Sequence, residues 1–294
     1  MKIVQGDELQ WERGLEYRGG IFHFRRLMEG VPGTIDNFQL SMGKMSGDFY
    51  SPRHRHNFEQ IRFQIKGTLN YARDGKMTEG IVGYFPEGMA YGPQSQDPDS
   101  EPWGAVLQFG GASGSGYLSR DEVKAGMGEL SRIGTFSGGI FRRNPGQPGK
   151  KNLDGYQAIW EHKNGKPMVY PKPRYNHPIL MDPKNFEWVE TGTRGVSEKL
   201  LGIFSERRVE IAFMKIEPGA AYTCEAPTVF LTIAGGGKIE GHGQTESLRE
   251  FTTVWVAKGD RARFTADESV EMLRMGLPDL TGLGAKQSFA QAAE

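Results

Sequence analysis

Short β-rich runs separated by turn residues recur through most of this chain, and they limit its fold more than any other sequence feature. In the first half the runs are residues 37–42, 60–65, 68–72, 79–85 and 103–109. In the second half they are residues 209–216, 228–235, 253–259 and 270–277. The 41 glycines and 16 prolines among the 294 residues supply the turns between these runs. Strands spaced about 8–12 residues apart predict an all-β fold built from sandwiches or barrels.

One segment carries a helical signal instead. Residues 118–132 contain Ser119 with Glu122 three positions later, which is the pattern of a capping box at a helix start. We therefore expect one short helix here. The glycine-rich stretch at 110–116 lacks the spacing and the Lys-Ser/Thr end of a phosphate-binding loop, so we interpret it as a flexible connector.

The chain is expected to form two domains. Residues 144–178 are so rich in proline and glycine that neither a central strand nor a helix is expected there. This segment is interpreted as the connection between the domains. The predicted division is an N-terminal β domain at 1–117, a helix and connecting segment at 118–175, and a C-terminal β domain at 176–294.

The two β halves look related. A shift of 168 residues places the run 60–66 on 228–234, and Gly67 falls on Gly235, so both runs end at a turn glycine. A duplicated β domain is the economical explanation.

Composition excludes several classes of protein. The 36 basic residues balance the 36 acidic ones, so no overall attraction to nucleic acid or to an anionic membrane is expected. The single cysteine, Cys224, has no partner for an intrachain disulfide. The first residues lack the apolar stretch of a signal peptide, and no window approaches the ~18 apolar residues of a spanning helix. We expect a cytoplasmic protein whose partner is a small molecule.

The candidate chemistry lies in the segment of residues 47–67. His54 and His56 are two residues apart, so on a strand their imidazoles lie on the same face and can converge on one ligand. Gln60, Arg62 and Gln64 alternate in the same way and share one face of the following strand. A buried strand presents such a polar face when it surrounds a binding cavity. The alternative for the histidine pair is a solvated position on an exposed strand.

These residues resemble the motifs of the cupin superfamily. The first cupin motif has a glycine, a His-x-His pair, an acidic or amide residue and a further glycine, and it is matched, with one extra residue before the first histidine, by Gly47, His54, His56, Gln60 and Gly67. The second motif is approached by Gly80, Pro86, Gly88 and Tyr91, where the tyrosine replaces the usual histidine. The resemblance implies a bicupin, with two jelly-roll β-barrels in one chain.

The resemblance also implies a site and a class of chemistry. It assigns His54, His56 and Gln60 as ligands of a divalent metal, with Fe(II) favoured and Mn, Ni or Zn as alternatives. Tyr91 would either ligate the metal or hydrogen-bond the substrate. Arg62, Gln64 and Tyr91 would contact substrate, and Arg62 and Tyr91 would act in catalysis.

We expect a metal-dependent enzyme of the dioxygenase type that acts on a small organic acid, enol or aromatic compound. A non-catalytic ligand-binding bicupin, or an isomerase or lyase with or without metal, remains open. A homodimer is expected through exposed strands.

The second half lacks the candidate ligands. The 168-residue shift aligns His54 with Tyr222, His56 with Cys224 and Gln60 with Thr228, and the second-motif position falls near Ala262. These side chains cannot form a metal site, so a structural role is expected for this barrel, with Cys224 as a buried hydrophobe. In the first half, His23 is a weaker candidate for a third histidine ligand.

Overall fold

Strands dominate the computed structural model. It describes residues 1–14, 19–95 and 101–283, and at residues 19–21 and 46–48 it describes the backbone but not the side chains. The strands up to residue 181 are β1 (Lys2–Gln5), β2 (Glu12–Arg13), β3 (Gly19–Glu29), β4 (Phe38–Ser51), β5 (His54–Arg55), β6 (Phe58–Lys66), β7 (Leu69–Asn70), β8 (Lys76–Met77), β9 (Val82–Phe85), β10 (Ala90–Tyr91), β11 (Gln94–Ser95), β12 (Trp103–Gly110), β13 (Gly134–Ser137), β14 (Ile140–Arg143), β15 (Asn152–Asp154) and β16 (Ile179–Met181). The remaining strands are β17 (Val189–Glu190), β18 (Val196–Phe204), β19 (Val209–Ile216), β20 (Ala221–Cys224), β21 (Thr228–Ala234), β22 (Gly237–Gly241), β23 (Gln244–Leu248), β24 (Thr252–Val256), β25 (Ala262–Ala266) and β26 (Val270–Gly276). The helices in this part of the chain are α1 (Arg120–Leu130), α2 (Gly155–Asn164) and two short 3-10 turns at Gly6–Glu8 and Pro183–Asn185.

The chain divides into two compact units. One, the first barrel, contains residues 11–25 and 29–180, and its main sheet has the order β16-β9-β6-β12-β4-β3-β2. The other, the second barrel, contains residues 1–10, 26–28 and 181–281. It combines a sheet of order β1-β24-β21-β26-β19-β18-β17 with a four-stranded sheet of order β20-β25-β22-β23. The all-β expectation is confirmed.

The observed division differs from the expected boundaries at the start of the chain. The sequence pattern assigns residues 1–10 to the N-terminal domain, but β1 pairs antiparallel with β24 of the second barrel, and Ile3 lies opposite Val254. A four-residue strand carries an alternation pattern that indicates its buried face but not its partner strand, which is why the sequence pattern could not reveal this pairing.

The helix at 118–132 forms as α1, and its capping box is present. The side chain of Ser119 accepts a hydrogen bond from the backbone N–H of Glu122, and the Glu122 carboxylate accepts one from the backbone N–H of Ser119 at 2.7 Å. Gly126, a weak point for an isolated helix, lies where a Cβ would come within 2.8 Å of Ile159 Cγ2 in α2. The glycine therefore allows the two helices to approach closely.

The expectation of a helix-free connection at 144–178 is wrong, because α2 lies inside it. The side chain of Asp154 accepts hydrogen bonds from the backbone N–H groups of Tyr156 and Gln157 and caps the helix start. Gly165, at a φ of 64°, ends the helix in the left-handed conformation. The prolines of the segment lie outside these caps. Instead of a separate connection, α1 and α2 form part of the first barrel's core with Phe58 and other apolar side chains.

Neither α1 nor α2, the α-helices of the described residues, has the length and apolar character needed to cross a membrane.

Candidate active site

The candidate site is built on one face of β6. Alternation along this strand turns Gln60, Arg62 and Gln64 to the same side, and all three are buried. The neighbouring strand β12 places Gln108 opposite Gln60 and Val106 opposite Arg62. This shared polar face agrees with the alternation seen in the sequence.

The two histidines reach the same region from β5 and the residue after it. Strand β5 pairs with β10, which sets His54 directly opposite Tyr91. The imidazole rings of His54 and His56 have centroids 4.8 Å apart, and both rings are buried. His54 Nδ1 lies 2.6 Å from the carbonyl oxygen of Pro52. Because a carbonyl can only accept, this nitrogen carries the proton and donates it.

The hydroxyl of Tyr91 is the hub of the site. It lies 3.0 Å from His56 Nε2, 3.1 Å from Gln60 Nε2 and 2.7 Å from Arg62 Nη2. The amide nitrogen of Gln60 and the guanidinium nitrogens of Arg62 can only donate, so they use the two lone pairs of the phenol oxygen. The phenol proton is therefore directed to His56 Nε2. This arrangement places the proton of a neutral His56 ring on Nδ1.

Arg62 is held in place on several sides. Its Nε and Nη2 donate to the side-chain oxygen of Gln60 at 2.9 and 2.7 Å. Its guanidinium carbon lies 4.3 Å from the ring centroid of Phe85 and 4.8 Å from that of Tyr91, which is cation–π geometry. A fixed positive charge thus lies beside the Tyr91 hydroxyl in the interior of the barrel.

A cavity of about 190 Å³ adjoins this network. His56, Arg62 and Gln64 line it, although the Gln64 amide nitrogen donates to the backbone oxygen of Lys66 at 2.8 Å. The other polar side chains of the lining are Ser41, Gln94, Gln108, Tyr117, Arg120 and Tyr156, and its aromatic residues include Phe22, Phe49, Phe58, Phe63 and Trp103. Of the residues predicted from the sequence, His56, Arg62 and Gln64 therefore line one cavity. Gln60 and Tyr91 hydrogen-bond to Arg62 but are not among the described lining residues.

Three solved structures align with almost the whole chain. A candidate dioxygenase from Nostoc punctiforme aligns over 95% of this chain and 83% of its own, with a TM-score of 0.61 at 12% identity. Oxalate decarboxylase from Bacillus subtilis, described with Mn(II) centres, aligns over 94% and 77%, with a TM-score of 0.54 at 15% identity. Protein Ylba from E. coli aligns over 94% and 90%, with a TM-score of 0.55 at 8% identity. The chain has the bicupin fold.

Neither a protein-family profile nor a curated protein sequence matches this chain. At the identities of the structural matches, the resemblance establishes the fold and leaves the chemistry to the residues of the site.

The residues present do not fit the divalent metal that the bicupin fold suggests. The oxygen of Gln60, one expected ligand atom, accepts twice from Arg62, and His56 Nε2 faces the Tyr91 hydroxyl. A guanidinium charge within hydrogen-bond distance of a ligand atom repels a second cation. Of the expected ligands, His54 has the arrangement usual in metal sites, with its Nδ1 proton donated to a backbone carbonyl. Within the described residues, no group of three His, Cys, Asp or Glu could hold an ion.

Other candidates from the sequence lie elsewhere. His23 pairs with Arg13 across strands β3 and β2 and does not contribute to the described lining of the cavity. The stretch at 110–116, expected to be a flexible connector, is tied down, because the backbone N–H and the hydroxyl of Ser113 donate to the Glu87 carboxylate at 2.8 and 2.6 Å. Glu87 also accepts from Arg174 at 2.8 Å. A buried carboxylate needs such donors, and glycine turns bring them to it.

On the apolar side of β6, a second set of buried polar groups lies near Glu87. Glu59, beside Gln60 in sequence, is fully buried. Desolvation by burial, together with the charge of Glu59, raises the pKa of Tyr84 well above the usual range. Tyr84 therefore stays protonated across the physiological range. Glu59 has the opposite parity to Gln60 and Arg62, so it lies on the face of β6 that points away from the Tyr91 hub.

Sequence reasoning missed the polar lining residues that lie outside β6 and the histidine pair, and Tyr156 and Gln108 show why. Tyr156 belongs to α2, the helix that the proline and glycine content concealed, and its ring centroid lies 5.7 Å from that of His56. Gln108 shares the inner-face alternation of β12 with Gly104 and Val106. The spacing of these three residues in the 103–109 run was the signal that could have identified Gln108 as a lining residue.

The second barrel of the bicupin is filled by apolar side chains. Cys224 is buried in its core, as expected. Tyr222 pairs with Phe264, as His54 pairs with Tyr91, so the counterpart of Tyr91 is Phe264 and not the expected Ala262. The 168-residue shift places Phe230 at the position of Arg62, and its ring centroid lies 4.8 Å from that of Phe264.

Proposed function

We propose that the first barrel binds the carboxylate or enolate of an organic acid at Arg62 and that Tyr91 and His56 transfer a proton to and from it, as a metal-independent isomerase or lyase does. The observation that carries this proposal is the convergence of His56, Gln60 and Arg62 on the Tyr91 hydroxyl within 3.1 Å. An acid–base pair beside a fixed cation is suited to enolate chemistry.

The proton path follows from the hydrogen bonds. Arg62 lines the cavity and Tyr91 does not, so Arg62 Nη2 has to turn from the phenol oxygen toward the substrate's acid group, which frees one lone pair of that oxygen and opens access to it. The Tyr91 proton then moves to His56 Nε2 while the phenol oxygen takes a proton from the carbon next to the acid group. The electrons of the broken C–H bond remain as an enolate. The Arg62 guanidinium stabilises both the enolate oxygen and the developing phenolate. Return of the proton to another carbon completes an isomerisation, and loss of a β-substituent completes an elimination.

Neighbouring groups orient the three participants. Phe58 stacks on His56 with ring centroids 4.3 Å apart, and Gln60 fixes the plane of the Arg62 guanidinium. These contacts hold the groups in one geometry before substrate binds, which lowers the cost of reaching the transition state.

A metal-dependent enzyme of the dioxygenase type is the second candidate. The side-by-side rings of His54 and His56 favour it, as does the protonated Nδ1 of His54. It requires Gln60 to leave Arg62 and turn its oxygen to Fe(II) or another divalent ion. The reaction would then be an oxidation that depends on O2 and on the metal.

The test is solvent deuterium exchange in metal-free protein. The chelator-treated bicupin is incubated in D2O with a panel of enolisable oxo-acids, and deuterium at the carbon next to the acid or carbonyl group is measured by NMR. We expect exchange without metal, a loss of at least ~100-fold in Tyr91→Phe, and no loss in Tyr50→Phe, whose ring is exposed. Exchange or O2 uptake that appears only with Fe(II) or Mn(II) would favour the second candidate. Binding without turnover under every condition would identify a ligand-binding bicupin.

A further inference from the structure

Three glutamines form one row across the inner face of the first barrel. Gln108 of β12 lies directly opposite Gln39 of β4 on one side and opposite Gln60 of β6 on the other. Residues directly opposite each other in an antiparallel sheet place their side chains on the same face. Gln60 belongs to the Tyr91 hub, whereas Gln108 is half-buried and lines the cavity. The row therefore places an amide on the cavity wall one strand away from the proton-transfer network.

Tyr117 determines which end of the Gln108 amide is available to a ligand. Its hydroxyl lies 3.0 Å from Gln108 Oε1 and 3.2 Å from Gln39 Oε1, and it has one proton for these two oxygens. The amide nitrogen of Gln39 is buried and has no hydrogen-bond partner among the described residues. A half-turn of the Gln39 amide makes this nitrogen a donor to the phenol oxygen. The phenol proton is then donated to Gln108 Oε1.

The amide nitrogen of Gln108 is left to donate into the cavity. In the part of the chain that the structure describes, no atom accepts a hydrogen bond from this nitrogen. Because Gln108 is a lining residue, an oxygen of a bound ligand can accept that bond. An amide nitrogen donates and does not accept, so it selects an acceptor oxygen.

The position of Gln108 relative to Arg62 indicates where this oxygen lies on the ligand. Val106 is directly opposite Arg62, and Gln108 is two positions further along the same strand. Such diagonal neighbours are about 7–8 Å apart at the backbone, so two long side chains at these positions can hold two oxygens of one molecule. The cavity of about 190 Å³ suits a small acid.

The proposed proton transfer decides which oxygen Gln108 binds. The carbon next to the acid group must carry a hydrogen, which excludes a 2-oxo acid, because there this carbon is the carbonyl carbon. A carbonyl at carbon 3 makes the C–H bond at carbon 2 acidic. When the Tyr91 oxygen takes that proton, the C–H electron pair forms the double bond between carbons 2 and 3, and the carbonyl pair moves onto its oxygen. A donor at this oxygen binds more strongly as the negative charge develops.

We infer that the substrate is a small 3-oxo acid whose acid group binds Arg62 and whose 3-oxo oxygen accepts a hydrogen bond from Gln108 Nε2. The inference rests on the proposed function, because it takes Arg62 as the anchor of the acid group and Tyr91 as the base. It adds the substrate class, a catalytic residue in Gln108 and a positioning residue in Tyr117.

The experiment is a calorimetric titration of the metal-free protein with butyrate, 2-oxobutyrate and 3-oxobutyrate. These acids share one chain length and differ in the presence and position of the carbonyl. Wild type is compared with Gln108→Met, Tyr117→Phe and Arg62→Gln. The control is Gln94→Met, which removes a lining amide whose nitrogen already donates to the backbone oxygen of Asn70. Circular dichroism and thermal melting verify that each variant is folded.

We expect wild type to bind 3-oxobutyrate about three- to tenfold more tightly than butyrate, as one additional neutral hydrogen bond allows. Gln108→Met removes this preference and leaves the affinity for butyrate within about twofold. Tyr117→Phe weakens the preference, because the Gln108 amide is then free to rotate, and Gln94→Met keeps it. Deuterium exchange at carbon 2 of 3-oxobutyrate, corrected for spontaneous exchange, falls at least ~100-fold in kcat in Gln108→Met.

Two results overturn the inference. One is a wild type that binds 3-oxobutyrate no better than butyrate, or less tightly than 2-oxobutyrate. The other is a Gln108→Met variant that keeps the preference or weakens both acids equally. Failure of the proposed function is recognised separately, because it would appear as an Arg62→Gln variant that binds butyrate as tightly as wild type.

Discussion

The side-chain oxygen of Gln60 accepts two hydrogen bonds from Arg62, at 2.9 Å from Nε and 2.7 Å from Nη2. The two residues are separated by one position on the same face of β6, so the strand geometry sets the pair. A neutral amide at this position fixes the guanidinium without cancelling its charge. The positive charge is thus retained for a ligand.

Gln60→Glu is expected to disable anion binding while keeping the barrel folded. A carboxylate at position 60 would form a buried ion pair with Arg62 and neutralise the proposed anchor. We expect affinity for the best oxo-acid to fall by at least ~10-fold, measured by calorimetry. Gln94→Glu is the comparison, because Gln94 lines the cavity and its amide nitrogen donates to the backbone oxygen of Asn70. An unchanged affinity in Gln60→Glu would contradict the role assigned to the pair.

Two glycines of α1 are expected to respond in opposite directions to alanine. A Cβ at Gly126 would lie 2.8 Å from Ile159 Cγ2 and 3.2 Å from the side chain of Lys163, whereas a Cβ at Gly128 meets nothing within 4 Å. Gly128→Ala should stabilise the protein by about 0.5–1 kcal/mol through helix propensity. Gly126→Ala should destabilise it by about 1 kcal/mol, because overpacking exceeds the same gain. Urea unfolding of both variants measures the difference, and equal effects would show that α1 and α2 do not pack as described.

Removal of Arg174 is expected to cost more than removal of a surface cation. The Glu87 carboxylate is fully buried and accepts from Arg174 and Ser113. Arg174→Gln leaves a buried charge with fewer partners, and we expect a loss of about 2 kcal/mol in the free energy of unfolding. Lys215→Gln, which breaks an exposed pair with Glu217, should cost less than ~1 kcal/mol. If the two variants unfold alike, Glu87 does not depend on Arg174.

Glu271→Gln is expected to stabilise the protein at neutral pH. Burial raises the pKa of Glu271, and the charges of Lys199 and Lys215 offset part of this. When the pKa of a carboxyl group is higher in the folded than in the unfolded state, the free energy of unfolding of the protein falls as the pH rises from the unfolded-state pKa through the folded-state pKa. The amide should therefore melt about 1–2 °C higher at pH 7 and no higher at pH values below the ordinary glutamate pKa. If the gain in melting temperature of Glu271→Gln increased toward acid pH, the pKa of Glu271 would not be raised in the folded protein.

The strands and the polar face of β6 could be predicted because each depends on local alternation. The run 209–216 coincides with β19, and the same parity that grouped Gln60, Arg62 and Gln64 in the sequence groups them in the structure. The Ser119 capping box was predictable for the same reason, since its hydrogen bonds join residues three positions apart.

The metal assignment could not be tested by sequence spacing, because it depends on side-chain contacts. Spacing shows that Gln60 can lie on the same face as the histidines, but it does not show that the Gln60 amide oxygen accepts a hydrogen bond from Arg62. The helix α2 was missed for a related reason. Its start depends on the Asp154 side chain and its end on Gly165, and composition averaged over 35 residues hides both.

The apolar filling of the second barrel has a consequence for anyone who wishes to install a second binding site there. Converting Phe230 to arginine alone would bury a charge in the apolar cluster that includes Phe264 and Ile239, and converting Phe264 to tyrosine alone would bury a phenol hydroxyl in the same cluster. Each single step loses stability before any function appears. A useful library must therefore vary positions 222, 228, 230 and 264 together, because only the combined set can form a closed hydrogen-bond circuit like the one around Tyr91.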